Sequence, residues 1–177
     1  RLYAGATDSA GEVGHVRLED DGPVGYGKAG SFEGFCSGGG IARLARSIVA
    51  ERLRRGEPPP GFCASEAELD GITAKTVGLA AQAGDPLALE IYRIVGEKLG
   101  KGLAMIVDVL NPERIVIGSI YARQQAILEP IVLEVLRREA LPFALAACEI
   151  VPAALGEAVG DYAALSVAMN ELRGRHK

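Results

Sequence analysis

Residues 11–33 constrain this chain more than any other stretch. Glycines at 11, 14, 22, 25, 27 and 30, with Pro23, break every run that would otherwise grow into a long helix or strand. Into these turns the sequence sets Glu12, His15 and Glu33. Carboxylates and an imidazole on glycine-rich turns suit a polyhydroxylated ligand, because they exchange hydrogen bonds with hydroxyl groups while glycine lets backbone approach closely.

The rest of the chain is expected to provide a scaffold. Its 177 residues suit one domain, and at 49% hydrophobic content it can bury a core without disulfides. Aromatics are few, so Ala, Leu, Ile and Val must fill that core. A net charge of −4 gives no general attraction to nucleic acid or to an anionic membrane. Cys36, Cys63 and Cys148 are widely spaced and form no CxxC pair, which reads as free thiols in a reducing, cytoplasmic compartment. No secretory signal or membrane-length apolar run occurs. His176 lies near a terminus and is expected to be exposed and without a role.

Residues 1–4 and 15–18 read as paired strands joined by a glycine-rich connection, and 22–30 as a loop. Ile41, Leu44, Ala45, Ile48, Val49 and Leu53 repeat at helical spacing, with Arg52, Arg54, Arg55 and Gly56 as the stop. Residues 57–61, with three prolines, form a stiff connector and the best candidate for an internal boundary. Thr73 is expected to cap a helix ending near Ala83-Gly84. Asp85-Pro86 starts another, which carries Leu87, Leu89, Ile91, Val95, Leu99 and Leu103 to about Leu110 and ends at Asn111-Pro112. Residues 114–117 read as a buried strand, 123–138 as a helix with a possible kink or break at Pro130, 148–151 as a second strand and 156–172 as an amphipathic helix. This order favours an α/β domain.

The stretch Ala4-Gly5-Ala6-x-x-Ser9-Ala10-Gly11-Glu12-x-Gly14-His15, with Glu33 downstream, resembles the sugar-binding segment of the ROK family of sugar kinases and sugar-responsive repressors. The resemblance extends over essentially the whole chain. It implies that Glu12, His15 and Glu33 contact sugar hydroxyls, and an α/β fold: the C-terminal lobe of an actin-like ATPase (ribonuclease H-like) fold, a mixed sheet with flanking helices. Residues 1–177 are then one domain. The family's phosphate-binding Asp-x-Gly-x-Thr hairpin does not occur, and its catalytic aspartate would lie upstream of Arg1. The chain is therefore expected to be part of a longer protein, to hold no catalytic residue itself, and to be inactive alone as a kinase.

In that family the histidine also binds zinc, with cysteines in the pattern Cys-x-Cys-Gly-x-x-Gly-Cys-x-Glu. Anchored on Gly27, Gly30 and Glu33, the cysteine positions fall at Val24, Tyr26 and Ser31. None is a good zinc ligand, and Cys36 with His15 does not complete a site, so no zinc is expected. Tyr26 and Phe32 are expected to pack inward in the metal's place, with Val24 filling a small gap.

Ile115-Val116-Ile117-Gly118-Ser119 resembles the family's strand-Gly-Gly element beside the nucleotide's adenosine, so Gly118 and Ser119 are candidate nucleotide contacts. The neighbouring Asp108-Val109-Leu110-Asn111-Pro112-Glu113 fits the same style. Ser37-Gly38-Gly39-Gly40 reads either as a turn before a capped helix or as backbone amides facing a phosphate or carboxylate, and it is no Walker motif. In Ala154-Leu155-Gly156-Glu157-Ala158-Val159-Gly160-Asp161, the glycines are expected to pack the last helix against the lobe. The resemblance implies ATP with Mg²⁺ and a hexose as partners of the complete protein, with a homodimer possible and no membrane. A hexose kinase is the first reading. A sugar-responsive repressor is the alternative, and only that one needs nucleic acid and an upstream helix-turn-helix.

Overall fold

The computed structural model describes residues 3–174. Its axis is the long helix for which Asp85 and Pro86 provide the start. The Asp85 carboxylate accepts from the Ala88 amide at 2.9 Å, and Pro86 occupies the first turn. This helix, Pro86–Leu110, ends on Asn111 in the left-handed conformation (φ 44°). Leu87, Ile91, Val95, Leu99, Leu103 and Val107, each four residues apart, form its fully buried stripe. Leu89 falls off the stripe and is exposed.

The described residues form eight α-helices, this one being α4: α1 (Phe32–Cys36), α2 (Gly38–Arg54), α3 (Ala74–Gln82), α4 (Pro86–Leu110), α5 (Ile120–Arg123), α6 (Gln125–Glu139), α7 (Pro142–Ala146) and α8 (Val159–Gly174). Thr73 caps α3 as expected, accepting from the Thr76 amide. The core is aliphatic: Ile41, Ile72, Ile91, Leu128 and Leu136 are all under 2% exposed, with Tyr92 the one large aromatic among them. The proline connector marks no boundary. Glu57 pairs with Arg52 at 3.2 Å, and the Gly61 amide donates to Asp85 at 3.0 Å, so both ends are tied to the core.

α4 and α6 approach closely because Gly96 and Gly100 face α6. A Cβ at Gly100 would stand 2.5 Å from the Val135 Cβ, a branched side chain that has no room to withdraw. Gly100→Ala is therefore expected to lower stability by about 1–3 kcal/mol despite alanine's better helix propensity. A urea unfolding midpoint shifted downward checks this, and an unchanged midpoint would mean that the helices are not in this contact.

Two small sheets are present among the described residues. β1 (Val24–Gly25) and β2 (Lys28–Ala29) form an antiparallel hairpin, and β3 (Arg114–Ile117) pairs in parallel with β4 (Glu149–Pro152). The fold is mixed α/β, as the element order implies. Several expectations need correction. Tyr3, Ala4 and residues 15–18 form no strand pair; Val13–His15 is a single 3-10 turn, and Arg17 makes only an isolated bridge to Ser31. Residues 1–2 and His176 lie outside the described residues. β3 is a strand but not buried: Ile115 and Ile117 pack on the core while Val116 is 59% exposed. Pro130 breaks nothing. The interruption falls instead at Gln124 (φ −120°, ψ 25°), whose buried side chain accepts from Gln82 at 3.1 Å. Finally, residues 160–169 of α8 are exposed, and neither Gly156 nor Gly160 has a neighbour where a Cβ would sit. Those glycines do not pack the last helix onto this domain; Gly156 serves the turn, at φ 51°.

Candidate functional site

The 3-10 turn that carries the first candidates is closed by short backbone bonds, from Val13 to Gly11 (2.7 Å), His15 to Glu12 (3.1 Å) and Val16 to Val13 (3.1 Å). The Phe32 amide then donates to the Val16 carbonyl at 2.8 Å, which lays the turn against the start of α1. Ser31, fully buried, caps α1 by accepting from the Gly34 amide at 3.1 Å. Glu33 is the second residue of that helix.

The result brings Glu33 onto the turn that carries Glu12 and His15. A Cβ at Gly14 would lie 3.3 Å from the Glu33 Cβ and 3.7 Å from its Oε2. The Glu33 carboxylate thus rests on the one residue of the turn that has no side chain, between Glu12 and His15. All three polar side chains are exposed. Glu12 stands at the N-cap position without capping the turn. The His15 ring meets only the edge of Tyr26, with centroids 6.0 Å apart and planes at 82°. Two carboxylates and an imidazole on one surface can accept from and donate to several hydroxyls at once.

The hairpin beside them is built differently from the expectation. Tyr26 (φ 44°) and Gly27 (φ 76°) are the two central residues of a tight turn that needs positive φ at both. Tyr26 therefore sits at the hairpin tip, 87% exposed, and Val24 is also exposed. Neither fills a space left by a metal. Phe32 does pack inward, its ring 2.5 Å from where a Cβ of Gly102 would be. What orders the loop is polar. The Lys28 Nζ donates to the His15 carbonyl at 2.8 Å, and Arg17 donates to the Ala29 carbonyl at 2.8 Å. Val24, Tyr26 and Ser31 give no ligand set for zinc beside His15. Cys36 turns away: its Sγ faces the Val95 carbonyl at 3.8 Å, and burial pushes its thiol up, away from the thiolate a metal needs. Cys63 is buried and Cys148 half-buried, and all three cysteines are free.

Sequence reasoning missed Glu19. It accepts from Lys98 at 2.5 Å and from Lys101 at 2.8 Å, two residues on the same face of α4. Hydrogen bonds from Lys101 and then Lys98 pull its carboxyl down to about 2 from an ordinary 4.5. A depressed carboxylate adds stability above its unfolded value and loses it as pH falls towards the folded one. The contribution is expected to be intact at pH 5 and above and to vanish between about 4.5 and 2. Unfolding midpoints of wild type and Glu19→Gln should therefore converge across that window, and a constant gap would refute the assignment. Nothing local in the sequence signals a partner so distant.

The second candidate element lies at the carboxyl end of β3. Gly118 and Ser119 border a cleft of about 240 Å³ whose other side is formed by Ser37 and Gly38 at the start of α2. Ser119 holds φ 53°, ψ −118°, a conformation that favours glycine, and its Oγ accepts from Arg123 at 3.1 Å. Ser37 caps α2 by accepting from the Gly40 amide at 3.0 Å, but the helix begins at Gly38, so the three glycines are its first turn and not a turn ahead of it. α1 links the two places. Glu33 is at its beginning and Cys36 borders the cleft at its end, roughly 5 Å apart along the axis at 1.5 Å per residue.

The model of the ROK family matches residues 1–171. The DNA-binding transcriptional dual regulator NagC of Escherichia coli is 28% identical over 145 residues, covering 80% of this chain and 32% of NagC. A glucokinase of Halalkalibacterium halodurans is 36% identical over 121 residues, covering 67% of this chain and 35% of the enzyme. The chain thus spans about a third of the length of these curated relatives. Among solved structures, a ROK family glucokinase from Streptomyces griseus in complex with glucose and AMPPNP superposes with a TM-score of 0.69 at 25% identity, over 90% of this chain and 51% of that one. The fold is that of the actin-like ATPases to which these sugar kinases belong, the relatives include both glucokinases and repressors, and the chain belongs to the ROK family.

Proposed function

We propose that this chain is the C-terminal, sugar-binding lobe of a ROK-type hexose kinase, with Glu12, His15 and Glu33 holding sugar hydroxyls and Gly118 and Ser119 lying against ATP. The observation that carries the reading is the Glu33 carboxylate resting on Gly14, between Glu12 and His15. It is supported by the glucokinase relatives and by the glucose and AMPPNP in the superposed Streptomyces griseus enzyme.

In the complete protein the sugar is held by its other hydroxyls while one hydroxyl loses its proton to a base outside residues 1–177. That oxygen then bonds to the γ-phosphorus of ATP, the bond to the β–γ bridging oxygen breaks, and ADP leaves. This lobe contributes orientation. The described residues hold no group of three or more acidic, histidine or cysteine side chains fit to hold a metal, so no Mg²⁺ contact is assigned to them, and the loop is proposed to work without zinc. No helix of the described residues is long and apolar enough to cross a membrane. A cytoplasmic location is part of the proposal.

The same pocket serves the second reading, a sugar-responsive repressor, which the likeness to NagC supports. Calorimetry of the complete protein with glucose and with N-acetylglucosamine, each with and without an ATP analogue and Mg²⁺, tests both. Sugar-dependent ATP turnover supports the kinase. Sugar binding without nucleotide binding supports the repressor, and binding of neither sugar removes both. Residues 1–177 alone are expected to show no turnover.

A further inference from the structure

We propose that Glu19 is the positioning residue of the sugar loop, a charged cross-link to α4 that holds Glu12, His15 and Glu33 in register without a metal. The proposal rests on the sugar-site reading above and names what fixes its geometry.

Three contacts make the link. The Glu19 carboxylate bonds both Lys98 and Lys101, 2.5 and 2.8 Å away across 79 and 82 residues of sequence. Lys98, only 15% exposed, also lies over the Phe35 ring, 5.4 Å from its centroid. That ring occupies the place where a Cβ of Gly22 would go. The segment from Glu19 to Gly22 is therefore clamped between Lys98 and Phe35. Phe35 sits one helical turn or less from Glu33 on α1, so the clamp and the site share a rigid element. On the other side, the Leu18 and Glu19 amides both donate to the Gly30 carbonyl, at 2.9 and 3.2 Å, which ties the clamp to the hairpin beside His15. In a loop without ligands for zinc, no other charged side chain of residues 16–31 reaches a helix of the core among the bonds described.

Glu19 lies four residues beyond His15 with its carboxylate on α4, and it acts only through the loop. Glu19→Gln is expected to keep the helical circular dichroism of wild type while the amides of Leu18, Gly30, Phe32 and Gly34 exchange with deuterium at least tenfold faster. Amides in the middle of α4 are expected to be unchanged. The charge swap Glu19→Lys with Lys98→Glu should restore part of the protection, and a chelator should leave wild-type protection as it was. Glucose affinity should fall about tenfold in Glu19→Gln and recover in step with the amides. Unchanged exchange in Glu19→Gln, or chelator-sensitive protection in wild type, would overturn the proposal. If the amides respond as expected while wild type binds neither glucose nor N-acetylglucosamine, the clamp stands and the sugar reading fails.

Discussion

Glu12→Gln, His15→Ala and Glu33→Gln are each expected to weaken glucose or N-acetylglucosamine binding by the complete protein about tenfold to a hundredfold, with ATP affinity little changed. The magnitude follows from hydrogen bonds to charged groups, worth about 1.5–3 kcal/mol, at about 1.4 kcal/mol per tenfold. The selectivity follows from position. All three side chains are exposed, and their only contacts with other elements are the His15 ring against Tyr26 and the Glu33 side chain against Gly14, so their loss costs the fold little. Glu12 should matter most, because it stands among glycines on the turn and its side chain makes no capping bond. Calorimetry with sugar and, separately, with an ATP analogue reads the difference. Three variants with wild-type sugar affinity would place the pocket elsewhere.

Gly40→Ala is expected to be among the most damaging single methyls in the chain, at about 3 kcal/mol or more. Its Cβ would fall on the Gly34 carbonyl oxygen, with the Gly34 carbonyl carbon at 2.7 Å and the Glu33 carbonyl oxygen at 2.8 Å. All of these are backbone atoms, so no rotamer change makes room and α1 must move away from α2. Because Glu33 lies on the displaced turn, sugar affinity should fall together with stability. The adjacent Gly39→Ala is the control. Its Cβ meets only the Arg43 guanidinium at 3.2 Å, the far end of a mobile side chain, and alanine favours the helix by up to about 1 kcal/mol. Urea midpoints should separate the two variants sharply. Similar midpoints would show that α1 and α2 do not cross at this point.

That contrast shows how far the sequence reaches. The triplet Gly38-Gly39-Gly40 reads as one flexible turn, yet α2 begins at Gly38 and only Gly40 is in a backbone-to-backbone crossing. Local signals did well where the physics is local. The Thr73 and Asp85 caps, the stop at Asn111 and the aliphatic stripe of α4 depend on neighbours a turn or two away. They failed where a distant partner decides. Pro130 sits inside an unbroken α6, and the chain leaves helical geometry instead at Gln124, whose side chain accepts a hydrogen bond from Gln82 on α3. Val116 is apolar and still exposed, since Ile115 and Ile117 take the core face of β3 and Val116 points to the opposite one.

The candidate site divides in the same way. Glu12, His15 and Glu33 stood out in the sequence because polar groups set among glycines are chemically conspicuous, and because their spacing resembles a family. The contact of Glu33 with Gly14, the outward turn of Tyr26 and the polar ties of Lys28 and Arg17 were decided by tertiary structure. So was the clamp of Glu19 on Lys98 and Lys101, for which the chain supplies only one acid and two bases some 80 residues apart. The sequence by itself determined where the chain turns, where its helices start and stop, and which residue types are offered to a ligand, since those follow from each residue's own conformational and hydrogen-bonding preferences. Which side chains share a surface depended on how closely helices approach and where charges find partners, and those are properties of the packed chain.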